Sequence, residues 1–295
     1  MTTFSGWNNS NGGLFSIAHD WSPIGVPNSG NSDAGLPTLS QPYTVTSDLN
    51  ETLDFLEVDA NAKLSITGGT FSMVSTARTF SNVYNFGTIS VGAASTLLLG
   101  ASTAGATTEI NGPGTVLVAG TGSTLGTIAT MQINASYMGL YGGAQLGVTA
   151  NGQILGSITS ASILTVKDGA IYGGGSIGNG GNAPAGDGLS LTVTALGTIN
   201  ANGGHAMVLE TGANAITNGG LIETTNAGGL TIDSQMFQNG KLVAAGTGAL
   251  MINGVLVKGL GNVATSSVGR IVLHKGQLAI GGLLNIGSAA APAER

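Results

Sequence analysis

Residues 220–232 read GLIETTNAGGLTI, and residues 240–252 read GKLVAAGTGALMI. Gly220, Ile222, Gly228, Leu230 and Ile232 of the first copy return as Gly240, Leu242, Gly248, Leu250 and Ile252 of the second. Each named anchor recurs twenty positions on. Within a copy, Leu230 and Ile232 flank Thr231, so a strand there would turn two apolar side chains inward and one threonine outward. An alternating unit of this length, punctuated by glycine and repeated, predicts a stacked β-solenoid.

Working outward, the same template recurs as a glycine followed at plus ten and plus twelve by two apolar residues. Gly87 leads to Leu97 and Leu99, and Gly197 leads to Met207 and Leu209. Looser copies open a strand directly after glycine at Gly114, Gly126, Gly152, Gly169, Gly269 and Gly276. The spacing drifts among them, which predicts rungs of variable length and hence a parallel β-helix. Rungs stack at about 4.8 Å, so residues 48–290 at about twenty residues per rung predict about twelve rungs and a rod of about 60 Å. Glycine is expected at the corners to supply positive φ. An antiparallel sandwich also joins short strands by turn signals; long helices are not expected.

Composition narrows the function. Glycine supplies 51 of 295 residues, charged residues only 7%, and hydrophobic residues 42%. Low charge with ample apolar content argues against disorder, and glycine without a three-residue period excludes collagen. Net charge is −6 with only eight Lys and Arg, so no basic patch exists to bind nucleic acid. Cysteine is absent, which removes disulfides and thiolate metal sites. No apolar run reaches the roughly 18 residues a membrane helix needs, so no membrane insertion is expected. Met1–Gly13 lacks the basic and apolar regions of a Sec signal peptide.

Residues 1–47 differ from the rest. They hold both tryptophans, Trp7 and Trp21, and four of the seven prolines. They predict an irregular N-terminal cap, with Trp7 or Trp21 covering the first rung of a helix that occupies 48–295. Tyr172–Gly188 is dense in glycine and predicts a loop bulging from one face at 172–188.

Candidate chemistry is sparse. Asp48, Glu51, Asp54, Glu57 and Asp59 form one acidic cluster. A glycosidase needs two carboxylates flanking one bond, but Asp54 and Glu57 have opposite strand parity, and the cluster reads as a solvated cap face. Asp54, Glu57 and Asp187 are the candidates for a cation, calcium being the ion that clustered oxygens suit. Asp187 follows a glycine-rich run that breaks the spacing of calcium-binding nonapeptides, so no cofactor is assigned. No catalytic residue is assigned either: the three histidines are far apart, and no nucleophile elbow is present. Thr44, Thr46, Thr192 and Thr194 read as isolated pairs, which disfavours an ice-binding array. Tyr137, Tyr141 and Tyr172 are the candidates for stacking on sugars.

Trp21 to Gly30, WSPIGVPNSG, followed by Asp33, resembles a stretch near the start of large bacterial surface β-strand-repeat proteins. Later rungs such as Asn218-Gly219-Gly220-Leu221-Ile222 are similar to those of autotransporter passengers and secreted adhesin-like β-helices. The resemblance implies an all-β, right-handed parallel β-helix, extracellular or on the cell surface, with an adhesive or structural role. It carries over no catalytic residue.

The expectation is therefore a non-enzymatic structural or adhesive solenoid that self-assembles into fibres or a surface matrix. Its partners would be itself, head-to-tail or laterally, or a cell-surface glycan. Leu278 and Ile280, near the C-terminal end, are the residues expected to self-associate, because low charge does little to prevent edge pairing. The alternatives are a β-helix polysaccharide lyase or hydrolase, or a tailspike-like glycan-binding protein.

Overall fold

A computed structural model describes residues 3–74, 80–100, 107–119, 129–133, 137–141, 144–149, 152–156, 162–178 and 189–285. The chain is a parallel β-helix with three sides. From Ser32 onward it visits three sheets in turn, so within each sheet a strand pairs with the third strand along the chain, sheet 3 beginning at Glu51–Leu53. Sheet 1 has 13 strands, sheet 2 has 12 and sheet 3 has 10. All ladders are parallel except the pairing of Thr3–Trp7 with Trp21–Ser22. Among the described residues, each sheet has ten strands within 48–290, fewer than the twelve rungs expected because many rungs are longer than twenty residues; strands before residue 48 extend the stack. The repetitive, strand-rich character that the surface-protein resemblance implies is present as well.

The register explains the duplicated sentence. Leu230 stacks on Leu250 and Ile232 on Ile252 in sheet 3, while Ile222 stacks on Leu242 in sheet 2. The twenty-residue repeat is one rung. Elsewhere the rung is longer: Glu109 stacks on Gly139, thirty residues on. The core is a set of columns in which each rung buries the position buried by the one before. In sheet 2 one column runs Val45, Leu64, Ile89, Val116, Leu146, Ile171, Ile199, Ile222, Leu242 and Val263, all of them buried. Burying such a side chain is worth about 1.5–3 kcal/mol, which repeats with every rung.

One column changes character. In sheet 1 the apolar series Leu140, Val166, Val193 continues as Asn218 and Gln238. Both amides are fully buried. Asn218 Nδ2 donates to Gln238 Oε1 at 2.8 Å, and Gly220 N donates to Asn218 Oδ1 at 3.0 Å. Asn218 is satisfied by Gln238 on the next rung and by Gly220 of its own turn, and Gln238 Nε2 donates to Asn262 O at 3.4 Å, which is what makes their burial tolerable.

The glycines of the repeat act differently from expectation. Gly220 and Gly240 do not lie among the residues with positive φ. A Cβ at Gly240 would instead lie 2.1 Å from the carbonyl oxygen of Gly220. Glycine is needed there because successive turns stack backbone on backbone, and a side chain would sit inside the rung below.

Two further expectations change. Residues 1–47 are not merely a cap, because Thr3–Trp7, Ser32–Leu36 and Tyr43–Ser47 are already strands of sheets 1 and 2. Among the described residues the stack is already present from Thr3. Within 172–188, Ala170–Gly173 and Gly175–Gly178 are ladder strands of sheets 2 and 3. Residues 179–188, including Asp187, lie outside the described residues.

Candidate functional site

The acidic cluster is split by strand parity. Glu51 has the inward parity of Leu53, and it heads the sheet 3 column that continues through Phe71, Leu97, Met131 and Ile154. It is 2% exposed, and its Oε2 has no hydrogen-bond partner. Burial, reinforced by the nearby charge of Asp48, pushes its carboxyl up to about 7. Asp54 is also buried, whereas Glu57 lies half-buried on the outward parity of strand Phe55–Val58. The expected solvated cap face is therefore corrected: two of its five acids are inside the stack. Asp54 sits in the bend between strands Glu51–Leu53 and Phe55–Val58, whereas Glu57 stands on the outward side of the second. Among the described residues, no three His, Cys, Asp or Glu side chains come together in a way that could hold a metal.

Glu51 lies at the end that the aromatic residues close. Trp7 and Trp21 meet edge-on at 5.1 Å, Phe15 meets Trp21 at 4.8 Å, and Phe15 meets Phe71 at 5.5 Å. All four rings are buried. The indole N–H groups are satisfied too, Trp7 Nε1 by Asn9 O at 2.7 Å and Trp21 Nε1 by Phe15 O at 2.8 Å.

Tyr172 faces outward on sheet 2, beside Gly147 on the preceding rung. A Cβ at Gly147 would lie 2.9 Å from Tyr172 Cζ and 2.9 Å from Leu117 Cδ1, so the phenol covers the glycine and is half-buried. Tyr137 and Tyr141 lie in strand Tyr137–Tyr141 of sheet 1, opposite Thr107 and Asn111; their side chains are outside the described residues. Leu278 and Ile280 lie in strand Gln277–Ile280, the terminal strand of sheet 1. They point inward as the last, partly buried layer of the core. Around them Leu273, Leu283 and Leu284 are exposed.

The histidines remain dispersed. His19 lies 3.5 Å from Asp20, His274 Nδ1 is 2.9 Å from Asn253 Oδ1, and His205 is exposed in a turn. The threonine reading needs correction: Thr192 stacks between Thr165 and Thr217 on sheet 1. The ladder ends at Phe237, so it is three rungs long and not an array.

Sequence reasoning missed a stripe on the outer face of sheet 1. One column carries Phe4, Asp33, Phe55, Asn82 and Glu109. The next carries Gly35, Glu57, Tyr84 and Asn111. Phe55 and Tyr84 contact each other at 5.6 Å. The available signal was outward parity: Asp33, Phe55, Glu57, Asn82, Tyr84, Glu109 and Asn111 each stand beside a buried apolar residue.

The chain matches no protein-family model, no curated protein and no solved structure. What is shown is the class, a repetitive all-β solenoid; among the described residues no helix is long and apolar enough to cross a membrane.

Proposed function

We propose that this chain is a structural or adhesive rod of the cell surface or extracellular space, and that it associates with a second copy through its C-terminal rung. The observation that supports this is the contrast between the two ends. The N-terminal end is closed by Trp7, Phe15 and Trp21, and an antiparallel strand, Trp21–Ser22, occupies the edge of sheet 1. At the last described rung, the edge strands are Gln277–Ile280, Leu284–Asn285 and Arg270–His274. They bring Leu273, Leu283 and Leu284 to the surface at 49%, 65% and 48% exposure.

A strand edge with apolar neighbours is a template for pairing with another chain. A head-to-tail fibre would need both ends open. With one end closed, the favoured product is a two-fold pair joined C-terminal end to C-terminal end, which is isologous and self-limiting. Light scattering across a concentration series tests this. The wild-type chain is expected to reach twice its mass, and Leu283→Asp and Leu284→Asp, both at exposed positions, are expected to keep it monomeric. A strictly monomeric wild-type chain at high concentration overturns the pairing. Fibres without limit would overturn the closed N-terminal end as the stop.

A further inference from the structure

Where sheet 1 turns into sheet 2, the corner narrows along the rod. Thr194–Gly197, four residues, joins strand Leu189–Val193 to strand Thr198–Ala201. On the next two rungs the corner has only two residues, Gly219-Gly220 and then Asn239-Gly240. The wide turn stands out as a ledge, with Leu196 77% exposed. Beside the tight turns it leaves a groove of about 350 Å³, floored by Gly219, Gly220 and Gly240. Along the groove runs the outward sheet 2 column Thr198, Leu221, Lys241 and Asn262. At about 4.8 Å per rung this column is about 14 Å long. The volume suits a small ligand.

The polar groups of the groove are mainly donors. Asn239 Oδ1 accepts from Leu260 N at 3.2 Å, and Asn262 Oδ1 accepts from Leu283 N at 2.9 Å. Both amides therefore present Nδ2 outward. Among the described residues the Lys241 ammonium makes no ion pair. Residues 234–293 hold Lys241, Lys258, Arg270 and Lys275 and no Asp or Glu, and Glu294 and Arg295 add one charge of each sign. Glu223 stands on the neighbouring column, between Asn200 and Val243, and does not line the groove.

We infer that this groove binds an acidic polysaccharide, a uronate chain lying along the rod axis. The argument is charge complementarity joined to the supply of donors. Lys241 pairs with a sugar carboxylate through a charge-assisted hydrogen bond. The Nδ2 groups of Asn239 and Asn262 donate to sugar oxygens, and the Thr198 hydroxyl both donates and accepts. Leu196 and Leu221 cover the C–H face of a pyranose and take it out of water. A nucleic acid fits less well. No aromatic ring lines the groove to stack a base, and one ammonium is too few for a chain with a phosphate at every step.

The inference rests on the adhesive reading of the rod, but the groove does not include Leu283 or Leu284. Calorimetry reads the groove and light scattering of the same samples reads the pairing, so the two can fail separately. The experiment is titration calorimetry at neutral pH with a β-linked glucuronate trimer, its methyl ester and tripolyphosphate, at low and high salt. Expected is binding of the glucuronate trimer that weakens with salt and is lost on esterification. Lys241→Met, at an exposed position, is expected to weaken it about tenfold, and Lys241→Arg to retain it. Asn239→Asp keeps the acceptor for Leu260 N but adds a repelling charge, and is expected to weaken it at least as much. Lys63→Met is the control, because Lys63 is exposed on the same outward column several rungs before the groove. It is expected to change nothing, and circular dichroism checks that all variants fold. No binding of the trimer overturns the proposal, and so does equal binding of its ester. Equal binding of tripolyphosphate overturns the sugar in favour of a simple anion site. Full binding by Lys241→Met, or equal weakening by Lys63→Met, overturns the groove as the site.

Discussion

The two ends of the stack solve the same problem in opposite ways. The first and the last described rungs each present a core layer that has to be covered. At the N-terminal end Trp7, Phe15 and Trp21 fill that layer and are fully buried. At the C-terminal end Leu278 and Ile280 remain partly covered, and Leu283 stands in solvent. The difference teaches that closure here depends on large rings and an antiparallel strand rather than on the repeat itself. The strands stack on to the last described rung, where Leu250 pairs with Ile271 and Val263 with Leu284.

The largest test of this contrast is Trp21→Ala. Removing a fully buried indole that holds Phe15 and Trp7 in place is expected to cost about 3–5 kcal/mol in chemical denaturation. Leu283→Ala, at the open end, is expected to stay within about 0.5 kcal/mol. Equal losses would mean that the ends are not different. Next is Gly240→Ala, which forces a methyl group against the Gly220 carbonyl and is expected to cost about 1–3 kcal/mol. Gly204→Ala, where nothing lies within 4 Å, is its control.

Glu51 sharpens the comparison through pH. Its folded-state value, about 7, lies above the ordinary 4.5, so between these values the folded state holds the proton more tightly than the unfolded state. This contribution is fully present below about 4.5 and is lost as pH rises through about 7. Wild-type melting temperature is expected to fall across that window, and Glu51→Gln is expected to flatten this fall. An unchanged slope in the variant would assign the dependence to another group. The smallest effect belongs to Lys258, whose ammonium lies 5.1 Å from the centre of the Phe237 ring. Lys258→Ala is expected to cost about 0.5–1 kcal/mol and to be partly masked by salt.

The stacking register was legible in the chain because of 220–252. There the rung length is constant, so sequence identity at plus twenty and contact across the ladder are the same fact. Between 100 and 190 the rung length changes, as in the step from Glu109 to Gly139, and the repeat dissolves into short apolar alternations. Glu51 and Asp54 were misread because a cluster of acids suggests solvent. Glu51 shares the inward parity of Leu53, and parity decides which way a strand residue faces; Asp54 is buried at the bend between two strands, where alternation gives no signal. Gly240 was assigned to the right place for the wrong reason, since close approach between turns is invisible until the turns are stacked. The stripe of Phe4, Asp33, Phe55 and Tyr84 could not be read, because its members come from separate rungs and meet only through the register.

The constant rung has a consequence for how such a molecule can change length. Deleting 219–238 would place Asn239 and Gly240 directly after Asn218, set Lys241–Ala244 on Thr198–Ala201, and return each inward position to a residue of the same kind. Inserting a copy does the reverse. In this part of the gene, a sixty-base duplication or loss keeps the register and, apart from the buried Asn218–Gln238 pair, changes chiefly the length of the rod, so that length is a heritable quantity that can be adjusted in whole steps.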